Sequence, residues 1–116
     1  MRPRFQADAD FNHRVILGLR RRDTAIDFQD AHAGRVIGLP DIEVLSIAAG
    51  MGRIPVSHDR RTMPGHFAQF LATRPSPGPI IVDQDFDIGR NIEELLLIWA
   101  ATDIEEWQDK IGYVPI

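Results

Sequence analysis

The sequence has 116 residues, of which 44% are hydrophobic and 26% are charged, as is typical of one globular domain and not of disordered or fibrous chains. The net charge of −4 disfavours a protein that coats nucleic acid non-specifically, because such proteins carry excess positive charge. Cysteine is absent, which excludes disulfides, thiolate metal sites and a cysteine nucleophile and fits a cytoplasmic protein. No apolar run approaches the roughly 20 residues of a membrane span, and the first residues lack the apolar stretch of a signal peptide, so we expect no membrane partner.

Hydrophobic periodicity and helix-end signals predict four elements in the first half of the chain, in the order strand, helix, strand, helix. The predicted ranges are 5–7, 12–22, 24–28 and 40–49. Asn12 is a suitable N-cap for the first helix, and the arginines at 20–22 suit the negative end of its dipole. The polar, glycine-containing residues 30–39 predict a loop before the second helix.

The second half of the chain predicts a strand, a helix, a strand, a long helix and a tail with one helical turn and an edge strand. The predicted ranges are 53–57, 62–71, 80–82, 88–101, 103–110 and 111–114. The apolar run Ile80-Ile81-Val82 is typical of a central strand that is covered on both faces. Strands that alternate with helices predict an α/β protein, here a single domain over 1–116 with a three-layer α/β/α sandwich and a mostly parallel sheet.

Carboxylates follow the first and third predicted strands. Asp8 and Asp10 come directly after the first strand, Asp59 follows the third, and Glu43 lies in the first turn of the second helix. Because ligands of a parallel sheet bind beyond the carboxyl ends of its strands, we expect these side chains to converge on one cleft. Each acid also has a local alternative, as an Asx turn, a helix cap or a partner of the helix dipole, and the repeated placement at strand ends favours the shared site.

A cluster of these four acids requires a cation or raised pKa values, since two carboxylates about 5 Å apart repel by about 3 kcal/mol at an effective dielectric near 20. A divalent metal ion meets that requirement, and all-oxygen ligands favour Mg²⁺ or Mn²⁺. Such ions activate water and stabilise charge in phosphodiester hydrolysis. His58, Arg60 and Arg61 flank Asp59 and are the residues that we expect to contact a phosphate backbone. A histidine beside an acid is nevertheless more often an ordinary hydrogen-bonding residue than a general base.

Four stretches of the chain stand in an order and spacing that are moderately specific together. They are Phe5-Gln6-Ala7-Asp8-Ala9-Asp10-Phe11-Asn12, Pro40-Asp41-Ile42-Glu43-Val44-Leu45, Val56-Ser57-His58-Asp59-Arg60-Arg61-Thr62-Met63-Pro64 and Pro77-Gly78-Pro79-Ile80-Ile81-Val82. With the later Ile92-Glu93-Glu94-Leu95-Leu96 and Glu106-Trp107 they span nearly the whole chain. On these stretches the chain resembles the PIN-like proteins of unknown function that are related to the VapC-type toxin ribonucleases.

The resemblance implies a compact PIN-type fold in which Asp8, Glu43 and Asp59 match the catalytic, metal-binding acids and Asp10 supports them. It implies a Mg²⁺- or Mn²⁺-dependent endoribonuclease that is the toxin-like member of a toxin-antitoxin pair, with RNA and an antitoxin protein as partners. Many PIN nucleases carry a further acid shortly after the third one, where this chain has Arg60 and Arg61. That departure supports the alternative, a catalytically weak PIN-like binding module that acts through a protein partner.

Two other acidic patterns are weaker. Asp8-Ala9-Asp10 is also similar to the first motif of haloacid-dehalogenase-like phosphatases, but no persuasive later lysine accompanies it. The residues 83–87 have the carboxylate spacing of a calcium loop, yet Ile88 stands where the sharp turn of that loop requires glycine.

The residues 95–98 of the long helix are consecutive and apolar. At about 100° per residue they surround the helix, so they cannot all face its own core. Some of them are expected to meet another surface, and the candidates are an antitoxin, a second copy of the chain or the tail after residue 103.

Overall fold

The computed structural model describes residues 1–115, which form five strands and four α-helices. The strands are β1 (Phe5–Ala7), β2 (Phe28–Gln29), β3 (Ile54–Ser57), β4 (Ile80–Val82) and β5 (Gly112–Val114). The helices are α1 (His13–Arg22), α2 (Asp41–Gly50), α3 (Met63–Leu71) and α4 (Ile88–Ala101), and a 3-10 helix spans Ile104–Trp107. The predicted elements are therefore present in the predicted order.

The second strand was predicted over 24–28 and lies instead at Phe28–Gln29. The preceding residues form a turn that the backbone hydrogen bond from Ile26 to Asp23 closes. Pairing begins only at Phe28, which stands opposite Phe5 in the parallel register. The two aromatic rings stack with centroids 5.1 Å apart, so packing against β1 sets where this short edge strand starts.

The five strands form one all-parallel sheet in the order β2-β1-β3-β4-β5. Strand β4 lies inside this sheet and its three residues are buried, as its apolar sequence predicts. Strand β5 forms one edge, which is also as predicted. The chain leaves β1 for β2 on one side and later places β3 on the other side of β1, and this reversal opens a crevice at their carboxyl ends.

Helices α1 and α4 pack together on one face of the sheet, and α2 and α3 pack together on the other, which makes the α/β/α sandwich. Successive strand residues point to opposite faces. Ile80 and Val82 accordingly belong to the core cluster that includes α1 and α4, whereas Ile81 belongs to the cluster with α2 and α3. Within residues 1–115 no helix combines the length and the apolar character that crossing a membrane requires.

Candidate functional site

A cleft lies at the carboxyl ends of β1 and β3, where the reversal in strand order opens the sheet. Its volume is about 160 Å³. We call it the aspartate cleft, and its lining residues are Asp8, Asp10, Asp41, Ser57, His58, Asp59 and Gln84. Three of the four acids predicted to bind a metal therefore meet in one place, and Asp41 joins them.

Asp8 is the most enclosed acid of the cleft. Its carboxylate accepts a hydrogen bond from the backbone N–H of Asp10 at 3.2 Å and another from the hydroxyl of Ser57. Burial raises the pKa of Asp8 above its ordinary value, the two hydrogen bonds oppose that rise, and the negative charges of Asp10 and Asp41 add to it. The carboxylate of Asp8 is thus held in place in surroundings that disfavour its negative charge.

The first turn of α2 contributes Asp41 to the cleft, not Glu43. Glu43 was predicted as a metal ligand, but its side chain is exposed and does not line the cleft. The physical reason is the helical period, because two positions two residues apart point about 200° away from each other. Asp41 faces the cleft and lies 3.7 Å from the Nε2 atom of His66 on α3.

Asp59 holds the start of α3. Its Oδ1 atom accepts backbone hydrogen bonds from Arg61 at 3.0 Å and Thr62 at 2.9 Å, and its Oδ2 atom accepts the hydroxyl hydrogen of Thr62. The hydrogen bonds from Thr62 are the main reason that the pKa of Asp59 is lowered. Thr62 stands at the N-cap position of α3 but makes no capping hydrogen bond with its own side chain, so Asp59 has the local function as well as a position in the cleft.

His58 connects three elements through both of its ring nitrogens. The Nδ1 atom is 2.8 Å from the carbonyl oxygen of Val82, to which it donates, and the Nε2 atom accepts the N–H of Asn12 at 3.1 Å. The imidazole also stacks on the ring of Phe11 with centroids 4.6 Å apart. His58 was predicted to contact RNA. In this structure both ring nitrogens have backbone partners, so the residue ties β3 to β4 and to the start of α1 while it lines the cleft.

Arg60 and Arg61, the other predicted RNA contacts, are exposed beside the cleft. The side chain of Arg60 is 61% exposed, and its guanidinium lies 3.8 Å from a carboxylate oxygen of Asp83 at the end of β4. A pair at this distance and exposure is weak. Both arginines therefore keep charge that a polyanion can use.

The structure adds Asp41, Ser57 and Gln84 to the residues expected from the sequence. The Ser57 hydroxyl donates to Asp8 and its oxygen accepts the N–H of Asp59 at 3.0 Å, so it links two acids. Ser57 is the last residue of β3 and stands two residues before Asp59. Its position at a strand end is a signal by which the sequence could have indicated it. Among residues 1–115, no group of three or more His, Asp or Glu side chains is arranged to hold a metal ion.

Comparison with known proteins returns no family model, no curated protein and no solved structure that matches this chain.

Proposed function

We propose that the protein is a Mg²⁺- or Mn²⁺-dependent endoribonuclease of PIN-like type, and that the aspartate cleft is its active site. The observation that carries the proposal is the convergence of Asp8, Asp10, Asp41 and Asp59 on one small cleft at the crevice between β1 and β3. A parallel sheet binds its ligands at this position. The resemblance of the sequence to PIN-like proteins supports the same function.

The chemistry of the cleft suits a hard divalent cation. Its charged groups are carboxylates, which are the ligands that Mg²⁺ and Mn²⁺ prefer in proteins. The ion pairs formed within residues 1–115 include neither Asp8 nor Asp10. A cation would remove the repulsion between these carboxylates, and we therefore propose metal binding by Asp8, Asp10 and Asp41, with Asp59 beside them. Glu43, the ligand that the resemblance implies, does not line the cleft.

Such an ion, when bound, lowers the pKa of a water molecule and offsets negative charge on a phosphate. The chain itself supplies position and electrostatics. The hydroxyl of Ser57 and the N–H of Asp10 fix the carboxylate of Asp8, while the exposed guanidinium groups of Arg60 and Arg61 attract the RNA backbone to the mouth of the cleft.

A binding module is the second candidate, and two specific contacts favour it. Asp59 accepts three hydrogen bonds at the start of α3, and His58 uses both ring nitrogens to hold the backbone. Because these two residues stabilise the fold, the cleft has fewer side chains that are free to take part in catalysis. In this version the protein acts through an antitoxin-type protein partner, and the apolar side chain of Leu97, which is 62% exposed, offers a contact surface.

The experiment that tests the nuclease proposal compares two carboxylates of the same helix turn. We expect the wild-type protein to cleave single-stranded RNA with Mn²⁺ or Mg²⁺ and not with EDTA. Asp41→Asn should lower the cleavage rate at least about tenfold, because Asp41 lines the cleft, whereas the exposed Glu43→Gln should leave it within about twofold.

Binding of Mn²⁺, followed by calorimetry, separates the two candidate functions. Metal binding that Asp41→Asn weakens, together with metal-dependent cleavage, supports the nuclease. A wild-type protein that binds no Mn²⁺ and cleaves no RNA contradicts the nuclease and leaves the binding module. If Glu43→Gln is the more damaging variant, the assignment of Asp41 as a ligand is wrong.

A further inference from the structure

A second concavity, with a volume of about 270 Å³, shares the lining residue Asp8 with the aspartate cleft. We call it the histidine pocket, because His13 and His32 contribute two imidazoles to its lining. Asp8 lines both cavities, so the two are contiguous. The volume is below the roughly 300–1,000 Å³ of pockets that take drug-sized ligands, which limits an occupant to about one ring system.

The loop that forms one wall of the histidine pocket is anchored to the sheet. The buried side chain of Gln6 donates to the carbonyl oxygen of Asp30 at 3.1 Å. Gly34 lies directly against the Gln6 side chain, where any larger residue would collide with it. Val36 is completely buried. This wall is therefore held in position and does not depend on a ligand to order it.

One large apolar side chain of this anchored loop is nevertheless left in solvent. Ile37 is 49% exposed although it follows the buried Val36, and it lines the histidine pocket. The backbone of Arg35 just before them has a φ of 57°, which is costly for a residue with a side chain. Such strain collects at ligand clamps and binding loops. The loop thus presents Ile37 at the pocket.

The remaining lining groups, which include the carboxylate of Asp30 beside the two imidazoles, suit a flat, polar-edged ring. Ile16 gives the pocket an apolar surface. His13 and His32 are exposed, and imidazole rings stack on unpaired bases in RNA-binding proteins. Phe11 also lines the pocket, but its ring is stacked between His58 and Phe28 and so belongs to the wall.

We infer that the histidine pocket is a nucleobase subsite that takes one unpaired base of an RNA strand, with Ile37, His13 and His32 contacting the base while the neighbouring phosphate lies at the proposed metal site beside Asp8. This inference rests on the proposed nuclease function and deepens it. A base can enter the pocket only when it has left a duplex, so the substrate is single-stranded where it crosses the site. In the absence of metal, the contact to the base, and not the acidic cleft, then provides the affinity for the strand.

The test measures binding without cleavage. A fluorescent single-stranded RNA of about six nucleotides is titrated with the full chain in EDTA by fluorescence anisotropy, beside an oligonucleotide with the same backbone and abasic positions. We expect the wild-type protein to bind the base-containing strand roughly fivefold more tightly, the low end of what one stacked base contributes. Ile37→Ala and His32→Ala should reduce this ratio to within about twofold and leave abasic binding unchanged. Tyr113→Ala is the control, because Tyr113 is 45% exposed on β5 and should not alter the ratio.

Equal binding of the two oligonucleotides by the wild-type protein overturns the subsite, as does no binding of either. A ratio that only Tyr113→Ala removes overturns it too, because the base then contacts β5. The nuclease proposal fails separately. If Ile37→Ala removes a base preference in a protein that cleaves nothing with Mn²⁺, the result supports the subsite and contradicts the nuclease. Metal-dependent cleavage with no base preference supports the nuclease and contradicts the subsite.

Discussion

Charged side chains have different partners at the two ends of the parallel sheet. At the amino ends of the strands, Arg53 donates to both carboxylate oxygens of Asp27, at 2.7 and 3.3 Å, and to the carbonyl oxygen of Phe5 at 3.1 Å. At the carboxyl ends, Asp8 has only hydrogen-bond donors that are uncharged, with Asp10 and Asp41 adding negative charge nearby. The first arrangement satisfies its charges within the fold. The second leaves a charge imbalance that an external cation can correct, and that difference locates the functional end of the molecule.

The largest effect that tests this comparison is the loss of RNA cleavage that we expect in Asp8→Asn. The substitution keeps the shape of the side chain and removes the charge that would hold the metal. We expect metal-stimulated cleavage of single-stranded RNA to fall about 100-fold or more. Asp85→Asn is the control, since Asp85 is exposed and does not line the cleft. Equal rates for Asp8→Asn and the wild-type protein would remove Asp8 from the metal site.

The amino end of the sheet should respond in stability instead of activity. The side chain of Arg53 is only 12% exposed, so Arg53→Ala removes a half-enclosed ion pair and leaves the carbonyl oxygen of Phe5 without that donor. We expect a loss of about 2 kcal/mol in the free energy of unfolding. Arg60→Ala is the matched control because its pair with Asp83 is exposed, and it should change stability by less than about 0.5 kcal/mol. Urea unfolding measures both, and similar losses would contradict the distinction between the two ends.

The sequence predicts the sheet and helices well because their signals are local. The alternation of apolar strands with capped helices places α4 and β4 at their observed positions and predicts a mostly parallel sheet, and all the strand pairs observed are parallel. Strand β2 was misplaced because only two of its residues pair, and the partner Phe5 that sets their position is distant in sequence. Short edge strands depend on such packing more than on their own pattern.

The site residues also divide into those that a local sequence signal predicts and those whose position depends on packing between distant parts of the chain. Asp8 and Asp59 follow strands, and the end of a parallel strand is recognisable from the sequence. Choosing between Asp41 and Glu43 requires the rotation of α2 about its axis, which the packing of buried residues such as Leu45 fixes. The partners of His58 are the backbone of Asn12 and of Val82, and such non-local hydrogen bonds leave no trace in the residue pattern.

Two acids of the cleft should have opposite effects on the pH dependence of stability. Burial raises the pKa of Asp8, so the stability associated with its neutral form is lost as the pH rises from the ordinary carboxyl pKa through the raised value. The hydrogen bonds from Thr62 lower the pKa of Asp59, so its contribution is present above the ordinary pKa and is lost as the pH falls through the lowered value. Near neutral pH without divalent metal, we expect Asp8→Asn to melt above the wild-type protein and Asp59→Ala below it.

Thermal unfolding from about pH 3 to pH 7 checks this pair, because that range spans the ordinary carboxyl pKa of about 4. The advantage of Asp8→Asn and the deficit of Asp59→Ala should both shrink toward the acid end. Shifts of the same sign at neutral pH would show that the two carboxylates do not differ as their surroundings indicate.

A smaller effect is expected for RNA binding at the mouth of the cleft. Replacing Arg60 and Arg61 together by Ala removes two exposed guanidinium groups without disturbing buried contacts. Each lost phosphate contact should lower the slope of log affinity against log salt concentration by about 0.7 for a single strand. Anisotropy titrations in EDTA at several salt concentrations measure this slope. An unchanged slope would place the RNA path elsewhere on the surface.

The smallest effect on stability is expected at Leu97, where the helix α4 has more apolar residues than its core can bury. Leu95 and Ile98 are 0% and 7% exposed, whereas Leu97 between them is 62% exposed. Within residues 1–115 the tail does not cover it, since Ile104 and Trp107 pack against the core that contains Leu95. Leu97→Glu should therefore change the free energy of unfolding by less than about 0.5 kcal/mol.

If Leu97 contacts a second copy of the chain, sedimentation will show the wild-type dimer shifting to monomer in Leu97→Glu. A wild-type monomer with an unchanged variant argues against a homodimer and leaves this side chain for an antitoxin-type partner, while unfolding of the variant would show that the tail or another segment covers Leu97 in solution.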